Sequence, residues 1–556
     1  MWNEETRQSS ERQHHREFIL LLMSFLAFRL MALLLVRPGG YITTLSDFTF
    51  YRLLASYASQ GFYPSVHYWM EYQPLFPWIP VGIYRLSLWL PNWGTPGFWF
   101  NLLLGFFFLL AETANLVLIY LIARRLYRPE VALRIGWVYS LLFVPLLVML
   151  GWFDVFALTF LLLALYLILI RRNRVGSVVA GVGFLVKLLP IVVVPVAFWR
   201  EPTWKRRAVL IVVTLVTVGL VALPFALLNP RLFALSWTIN LKRSSWETIW
   251  AVLEGFYGYG LAGGGNRFDP AQAGALQHPA TLPWGLISVG FALLYLVLWV
   301  AAGEKLGESR RAVAFTGLTV NLLTLYFKGY SPQFLVWLLP FVILLLPGLR
   351  GVAYAVLLSA VNIVESPIYF TLLPDQSWLL IGVVLARSGL LILLAIEYGL
   401  MALHRPLPAL WSRRLCLGAI GVLVTAALLA VPRAYDAFYQ NRLSVSPYRP
   451  LIETLTAEAT PHARVIIGGD EPADAQGVYD AVYPFLRRRF DVTSVQTDWW
   501  FPAWQPRLER AVAGYDQVWL YAPKDSPLHT WLAERYRPVA RYEINGWLLT
   551  GWDTGR

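Results

Sequence analysis

Runs of apolar residues long enough to cross a bilayer recur along the chain, and they decide its fold class. The apolar segments are 17–36, 98–122, 135–151, 154–170, 175–187, 188–199, 208–228, 285–302, 312–327, 334–347, 352–371, 378–402 and 415–431, some of them short. They make about thirteen passes, judged against the ~20 residues that span a hydrocarbon core ~30 Å thick. Only 14% of the 556 residues are charged and 57% are hydrophobic. Such runs can satisfy their backbone in lipid only as helices, so the expected fold is a polytopic α-helical membrane protein. The formal charge of +13 sits in short basic clusters between the apolar segments, which is membrane topology and not a nucleic-acid surface. A single cysteine, Cys416, excludes an internal disulfide and a thiolate metal cluster. The mixed-charge N-terminus has no small-residue cleavage site before Arg37, so 17–36 reads as a retained first helix.

The positive-inside rule tests this count. It assigns to the cytoplasm the connections holding Arg124, Arg125, Arg128 and Arg134; Arg171, Arg172 and Arg174; Lys205, Arg206 and Arg207; Lys305, Arg310 and Arg311; and Arg405, Arg413 and Arg414. They fall on one side only if 75–90, broken by prolines, does not cross and if 175–199 crosses twice. Each arm of that hairpin is then about 12 residues, or ~18 Å of helix, shorter than the bilayer core. The same reading lifts Lys187 from the bilayer centre, where it would cost roughly 2.5–3.5 kcal/mol, to a turn. The N-terminus is then inside. Asp47, Glu71, Asp154, Lys187, the loop 229–284, Lys328 and everything after Pro432 are outside. Residues with chemistry gather on one face, and topology signals on the other.

The first external loop, 37–97, carries the most suggestive stretch, LSDFTFYRLLASYASQGFYPSVHYWMEYQPLFP. Phe48, Tyr51, Leu54, Ala55 and Ala58 recur at helical spacing and predict an amphipathic helix at the headgroup level, stopped by Gly61 and Pro64. Two roles are open for Asp47: a helix N-cap, or a base acting on a lipid-linked substrate. Asp154, in GWFDVF, has the same pair of readings. Lys187 and Lys328, each near a proline at an outer helix end, read as phosphate contacts or as interfacial anchors. Arg243 suits a bidentate phosphate contact, with Glu247 holding it or the two forming a surface ion pair. His67 and His278 have no partner at metal-ligand spacing. Arg29, Glu112, Glu365 and Arg387 lie inside spans and should face the bundle interior, with Glu365 and Arg387 as a buried pair.

From Pro461 the pattern changes. ARVIIGG, FDVTSVQ, DQVWLYAP and a final segment around WLLTGW read as strands, alternating with the helices AQGVYDAVYPFLRRR, PRLERAVAGY and PLHTWLAERY. This predicts a small α/β domain over 461–556 with a mostly parallel sheet, following a membrane domain over 1–432 and a linker over 433–460. Gly468-Gly469-Asp470 lacks the full glycine fingerprint of a dinucleotide site.

The chain resembles the GT-C superfamily of polyprenyl-phosphate-sugar-dependent glycosyltransferases, in the branch of the family-87-type and GPI mannosyltransferases. The matching pieces are SDFTFY, QGFYPS and EYQPLFPW; GWFDVFALTFLLLALYL; AGVGFLVKLLPIVVVP; KRSSWET; and YFKGYSPQFLVWLLPF. The resemblance implies a GT-C-like fold and Asp47 as the general base, with Asp154 as the second catalytic acid. It further implies Lys187, Lys328 and Arg243 on the donor phosphate, and Glu71, Tyr72, Glu247 and Gln333 as substrate-binding residues. Gln73 departs from the usual pattern, the histidine-arginine-histidine loop motif of the GPI enzymes is missing, and the C-terminal domain is not part of the family core. The expectation is an enzyme of the cytoplasmic membrane moving a hexose, mannose first, from a polyprenyl-phosphate carrier to a lipid, glycan or protein acceptor. It uses no nucleotide-sugar and no bound cofactor, and a divalent cation shared by Asp47, Glu71 and Asp154 stays open. A transporter or flippase of lipid-linked sugars and a non-catalytic assembly protein are the rival readings.

Overall fold

The computed structural model describes residues 4–35, 46–91, 97–258, 266–372, 376–404, 447–469, 472–487, 489–497 and 504–555, with residues 414, 418 and 421. The expected span 415–431 apart from residues 418 and 421, together with Cys416, Arg405, Arg413 and Asp470, therefore lies outside the described residues. In chain order the helices are α1 (Glu4–Leu35), α2 (Ser46–Ser56), α3 (Trp78–Ser87), α4 (Phe98–Leu126), α5 (Pro129–Leu141), α6 (Phe143–Met149), α7 (Asp154–Leu169), α8 (Asn173–Phe184), α9 (Val194–Arg200), α10 (Trp204–Leu228), α11 (Pro230–Lys242), α12 (Ile249–Glu254), α13 (Pro270–Ala273), α14 (Trp284–Ala302), α15 (Ser309–Tyr326), α16 (Leu335–Leu345), α17 (Leu349–Ile363) and α18 (Ser377–Ala402). A π-helical stretch, Val364–Leu372, extends α17 past a kink at Ser366.

Each of the first twelve apolar segments coincides with helix. Among the described residues six stretches are long and apolar enough to cross a membrane alone, and α5 with α6 makes a seventh, bent by 56°. The others are short: α7, the hairpin arm Leu189–Arg200 and Pro332–Leu345 are apolar but fall below full spanning length. α16 is buried along its whole length, whereas α10 and α14 carry mostly exposed apolar side chains such as Leu220 and Leu286. The bundle thus has a core built around α4, α7, α15 and α16 and an apolar outer surface suited to lipid.

α3 packs beside α2, and the Leu75 amide donates to the Leu185 carbonyl at 3.1 Å. α8 and the Leu189–Arg200 arm form a hairpin whose open end is closed by Asn173, donating to Glu201 at 2.9 Å, and whose turn carries Lys187. Gly183 permits the tight return, since a Cβ there would meet Phe160 and Pro190 at 2.7–2.8 Å. At the opposite end Arg200 donates to the carbonyls of Leu306 and Gly307, both at 2.9 Å, and Arg171 to that of Gly307 at 3.4 Å. Arg171 and Arg200 thus meet at the end of the hairpin away from Lys187. Inside the bundle Arg29 pairs with Glu112 at 3.6 Å, and Arg387 pairs with Glu365.

The C-terminal domain consists of α19 (Arg449–Glu458), β1 (Arg464–Gly469), α20 (Pro472–Leu486), β2 (Asp491–Gln496), α21 (Trp504–Val512), β3 (Gln517–Pro523), α22 (Pro527–Ala533), β4 (Arg537–Ile544) and β5 (Trp547–Asp553). The sheet order is β2-β1-β3-β5-β4, parallel through β2-β1-β3 and antiparallel at the β5 and β4 edge. β4 is an addition to the strands expected from sequence. So is α19, which lies in the segment read as a linker and buries Leu451 and Leu455 in the domain core. β4 and β5 are joined by Asn545 and Gly546, at φ 53° and 78°, the backbone a two-residue primed turn requires. Nothing lies within 4 Å of a Cβ built on Gly546, so Gly546→Val should cost only the left-handed backbone penalty. That is about 1–2 kcal/mol, to be read as faster hydrogen exchange across β4 and β5 and a lower unfolding temperature for the domain.

Candidate functional site

α2 sets the first side of the site. Asp47 and Tyr51 are one turn apart on one helix face, and the Tyr51 hydroxyl donates to Asp47 Oδ2 at 3.1 Å. The Tyr51 ring is fully buried against the edges of Phe76 (5.1 Å), Tyr72 (5.9 Å) and Phe153 (6.4 Å). Asp47 thus uses its carboxylate on Tyr51, from within the first helical turn. Burial raises the Asp47 pKa to about 7; the Tyr51 hydroxyl opposes this, the negative charges of Asp154 and Glu71 add to it, and Lys187 opposes it. A carboxyl poised near neutrality suits proton abstraction from a hydroxyl.

The second side is the Asp154–Lys187 pair. Lys187 Nζ lies 2.5 Å from Asp154 Oδ1. Its ammonium also sits over three aromatic faces, Phe334 and Trp337 at 4.5 Å and Phe153 at 4.7 Å. Asp154 begins α7, whose N-cap residue is Phe153, so its partner is the lysine and not the helix end. Asp154 Oδ2 is buried without a hydrogen-bond partner among the described residues. An ammonium has three protons; Asp154 takes one, leaving Lys187 able to donate to an incoming oxygen.

The third side comes from the long loop. Arg267, which sequence reasoning passed over, grips Glu71 through Nη2–Oε1 at 3.0 Å and Nη1–Oε2 at 3.4 Å. It also donates to the Trp69 carbonyl at 3.3 Å and faces the Phe50 ring at 4.9 Å. Burial pushes Glu71 up, but the Arg267 guanidinium outweighs it and holds the carboxyl below its usual range. Glu71 is therefore a fixed negative charge and a poor base. Its sequence neighbourhood, GGGNRFD, offers no spacing that would have singled out Arg267.

Arg243, Lys328, Glu247 and Gln333 form the remaining wall. Arg243 is buried with its guanidinium 3.4 Å from the Trp246 ring centre, close enough to contribute to the low pKa of Glu71. Lys328 donates to the carbonyls of Leu241 (2.6 Å) and Arg243 (3.2 Å), so it closes the C-terminal end of α11. Burial lowers its pKa to about 8, with Glu254 opposing and Arg243 assisting. Glu247 adopts a positive φ of 54°, and its carbonyl accepts from Arg387 while its carboxyl lies near Glu365 and Arg387. Arg387 also stacks on Tyr330 at 3.6 Å. Gln333 is half-buried in the turn Pro332–Phe334, next to the Phe334 that covers Lys187. Tyr72 packs on Phe153 at 5.0 Å. The site residues named from sequence thus fall into two groups. Asp47, Asp154, Lys187, Glu71 and Tyr72 surround one centre. Lys328 and Glu247 hold the Arg243 loop from behind. Among the described residues no three histidines, cysteines or acids are grouped as metal ligands.

No family model matches the chain, and no curated protein matches it. Solved structures do. ArnT from Cupriavidus metallidurans in the apo state is similar at 14% identity and a TM-score of 0.44, over 96% of this chain and 97% of that one. The Archaeoglobus fulgidus oligosaccharyltransferase in the apo form is similar at 11% identity and 0.36, over 85% and 64% of the two chains. The same protein tethered to an acceptor peptide containing the NVT sequon is similar at 10% and 0.37, over 98% and 74%.

The buried Asp154–Lys187 pair generates its own prediction. Lys187→Met leaves Asp154, which is 1% exposed, without its counter-charge. The expected loss is about 3–5 kcal/mol, read as a lower unfolding temperature in detergent or nanodiscs. Lys187→Met combined with Asp154→Asn should recover most of it.

Proposed function

We propose that this chain is a membrane glycosyltransferase that moves a hexose, mannose first among candidates, from a polyprenyl-phosphate carrier to an acceptor hydroxyl. The observation that carries the reading is the meeting of two opposed groups at one end of the bundle. Asp47 is a carboxyl raised towards neutrality, and Lys187 is a cation fixed in an aromatic cage. Asp47 takes the acceptor proton as the hydroxyl oxygen bonds to the anomeric carbon. The bond from that carbon to the phosphate oxygen breaks on the opposite face, inverting the centre. The departing phosphate carries the electron pair, and Lys187 and Arg243 supply charge-assisted hydrogen bonds to it. Asp154 fixes Lys187. Glu71, held by Arg267, and Tyr72 shape the acceptor side, with Gln333 at the rim. Lys328 and Glu247 act by holding the Arg243 loop. Chemistry takes place on the outer face of a cytoplasmic membrane, with the N-terminus inside and the C-terminal domain outside. The acceptor is a lipid, glycan or protein.

The test is label transfer in proteoliposomes from polyprenyl-phosphate-mannose, then from glucose and pentose donors. Asp47→Asn should lower transfer by about 10²–10⁴-fold; equal transfer by wild type and variant sinks the base assignment. Movement of the intact lipid-linked sugar without transfer would favour a flippase. The pH profile follows from the sign of the shift. A base must be deprotonated, and the Asp47 pKa is raised to about 7, so kcat should fall as pH drops through about 7 and level off above it. Asp154 and Glu71 already hold cations of the chain itself, Lys187 and Arg267. Transfer should accordingly persist in EDTA, and its loss with recovery on adding a divalent cation would assign the acids to a metal instead.

A further inference from the structure

α2 has a second face, and it belongs to the C-terminal domain. Arg52 lies next to Tyr51 and five residues after Asp47. Its guanidinium reaches across to α20, where Nη2 meets Asp480 Oδ2 at 3.1 Å and Oδ1 at 3.4 Å. Asp480 is pre-set for this contact by Gln476, one turn earlier, which donates to its Oδ1 at 2.9 Å. The Arg52 side chain runs over the backbone of Gly97, at φ 73°, where a Cβ would fall 1.5 Å from Nη1. Its charge also reaches Tyr84 on α3 and Tyr479 on α20. One residue thus joins α2, α3, the start of α4 and the C-terminal domain, and it is only 9% exposed.

α2 is 11 residues long. A helix shorter than about 12–15 residues is marginal alone and takes its position from what packs on it. The bundle grips the face carrying Phe48, Tyr51 and Ala55, all at most 2% exposed, and the loop residues Tyr68 and Met70 cover Leu54. α20 grips the face carrying Arg52. Because Asp47, Tyr51 and Arg52 share one rigid helix, a shift at the Arg52–Asp480 contact is a shift of the carboxylate.

We infer that the C-terminal domain positions the catalytic base of the proposed transferase, and that Arg52 is the positioning residue through which it does so. This rests on the transferase reading for its kinetic arm. The domain accordingly acts from behind α2, bound through an ion pair that closes across 428 residues of sequence.

The experiment uses the full-length protein in nanodiscs with Arg52→Gln, Asp480→Asn, the double variant and Arg52→Lys. Two readouts are taken: hydrogen exchange over residues 46–56, and kcat and KM for polyprenyl-phosphate-sugar. Each single variant should speed exchange in 46–56 and lower kcat by about 10-fold, with KM for the donor changed less than about two-fold. The double variant should be no worse than either single one, since both remove the same contact. Arg52→Lys, which keeps a charge, should retain most of kcat. Unchanged exchange, unchanged kcat or losses that multiply in the double variant would each overturn the inference. If wild type transfers no sugar, the transferase reading fails, and the exchange arm still decides whether the domain holds α2.

Discussion

A lysine and an aspartate 2.5 Å apart hold the functional end of this bundle together. Neither charge is tolerable there alone. Lys187 sits at the tip of a hairpin and Asp154 is 1% exposed, so each supplies what the other lost on leaving water. The three rings around the ammonium come from the α6–α7 turn, from the turn before α16 and from α16 itself. The pair therefore fixes the relative depth of the α7 start, the hairpin tip and α16, three elements far apart in sequence. Asp47 then reads this arrangement as a field, with Asp154 pushing its pKa up and Lys187 pulling it down.

A second fixed point sits behind the first. Arg387 on α18 pairs with Glu365, accepts the Tyr330 ring on its face and donates to the Glu247 carbonyl. Trp246 is bonded through its amide to the Lys328 carbonyl at 2.9 Å, and Tyr330 to the Trp246 carbonyl at 3.1 Å. Two loops far apart in the chain are tied into one short bridge, with Arg243 at its edge. The groups with chemistry ride on connections, and charges within the bundle keep those connections in place.

How much of this was legible follows from the physics each residue depends on. The apolar segments are plain because hydropathy is local, and the hairpin at Lys187 because the basic clusters must fall on one side of the membrane. Asp47 and Asp154 stood out as acids at helix starts, and Glu365 with Arg387 as opposite charges in neighbouring spans. Arg267 did not stand out, because its partner Glu71 is 196 residues away and nothing local marks it. Arg52 was hidden likewise, its partner lying in another domain. The β4–β5 hairpin is a different case: Asn545-Gly546 is a strong local turn signal, followed directly by the apolar run Trp547-Leu548-Leu549. Lys328 was read by its charge alone, whereas its partners are backbone carbonyls that no side-chain pattern reveals.

The shortness of the hairpin has a spatial meaning. α8 has 12 residues and so rises ~18 Å, and α7, with 16, rises ~24 Å. Both start or end beside the arginine cluster of Arg171 and Arg200, and both meet at Lys187 and Asp154. Both rises fall short of a hydrocarbon core of ~30 Å, so helices of this length that start at one membrane surface would end below the other. In the proposed transferase, short helices would hold the pair at a level that the bilayer still surrounds. The polyprenyl-phosphate donor proposed above would then not need to rise out of the membrane to reach it; its head would approach sideways, with its tail still in lipid.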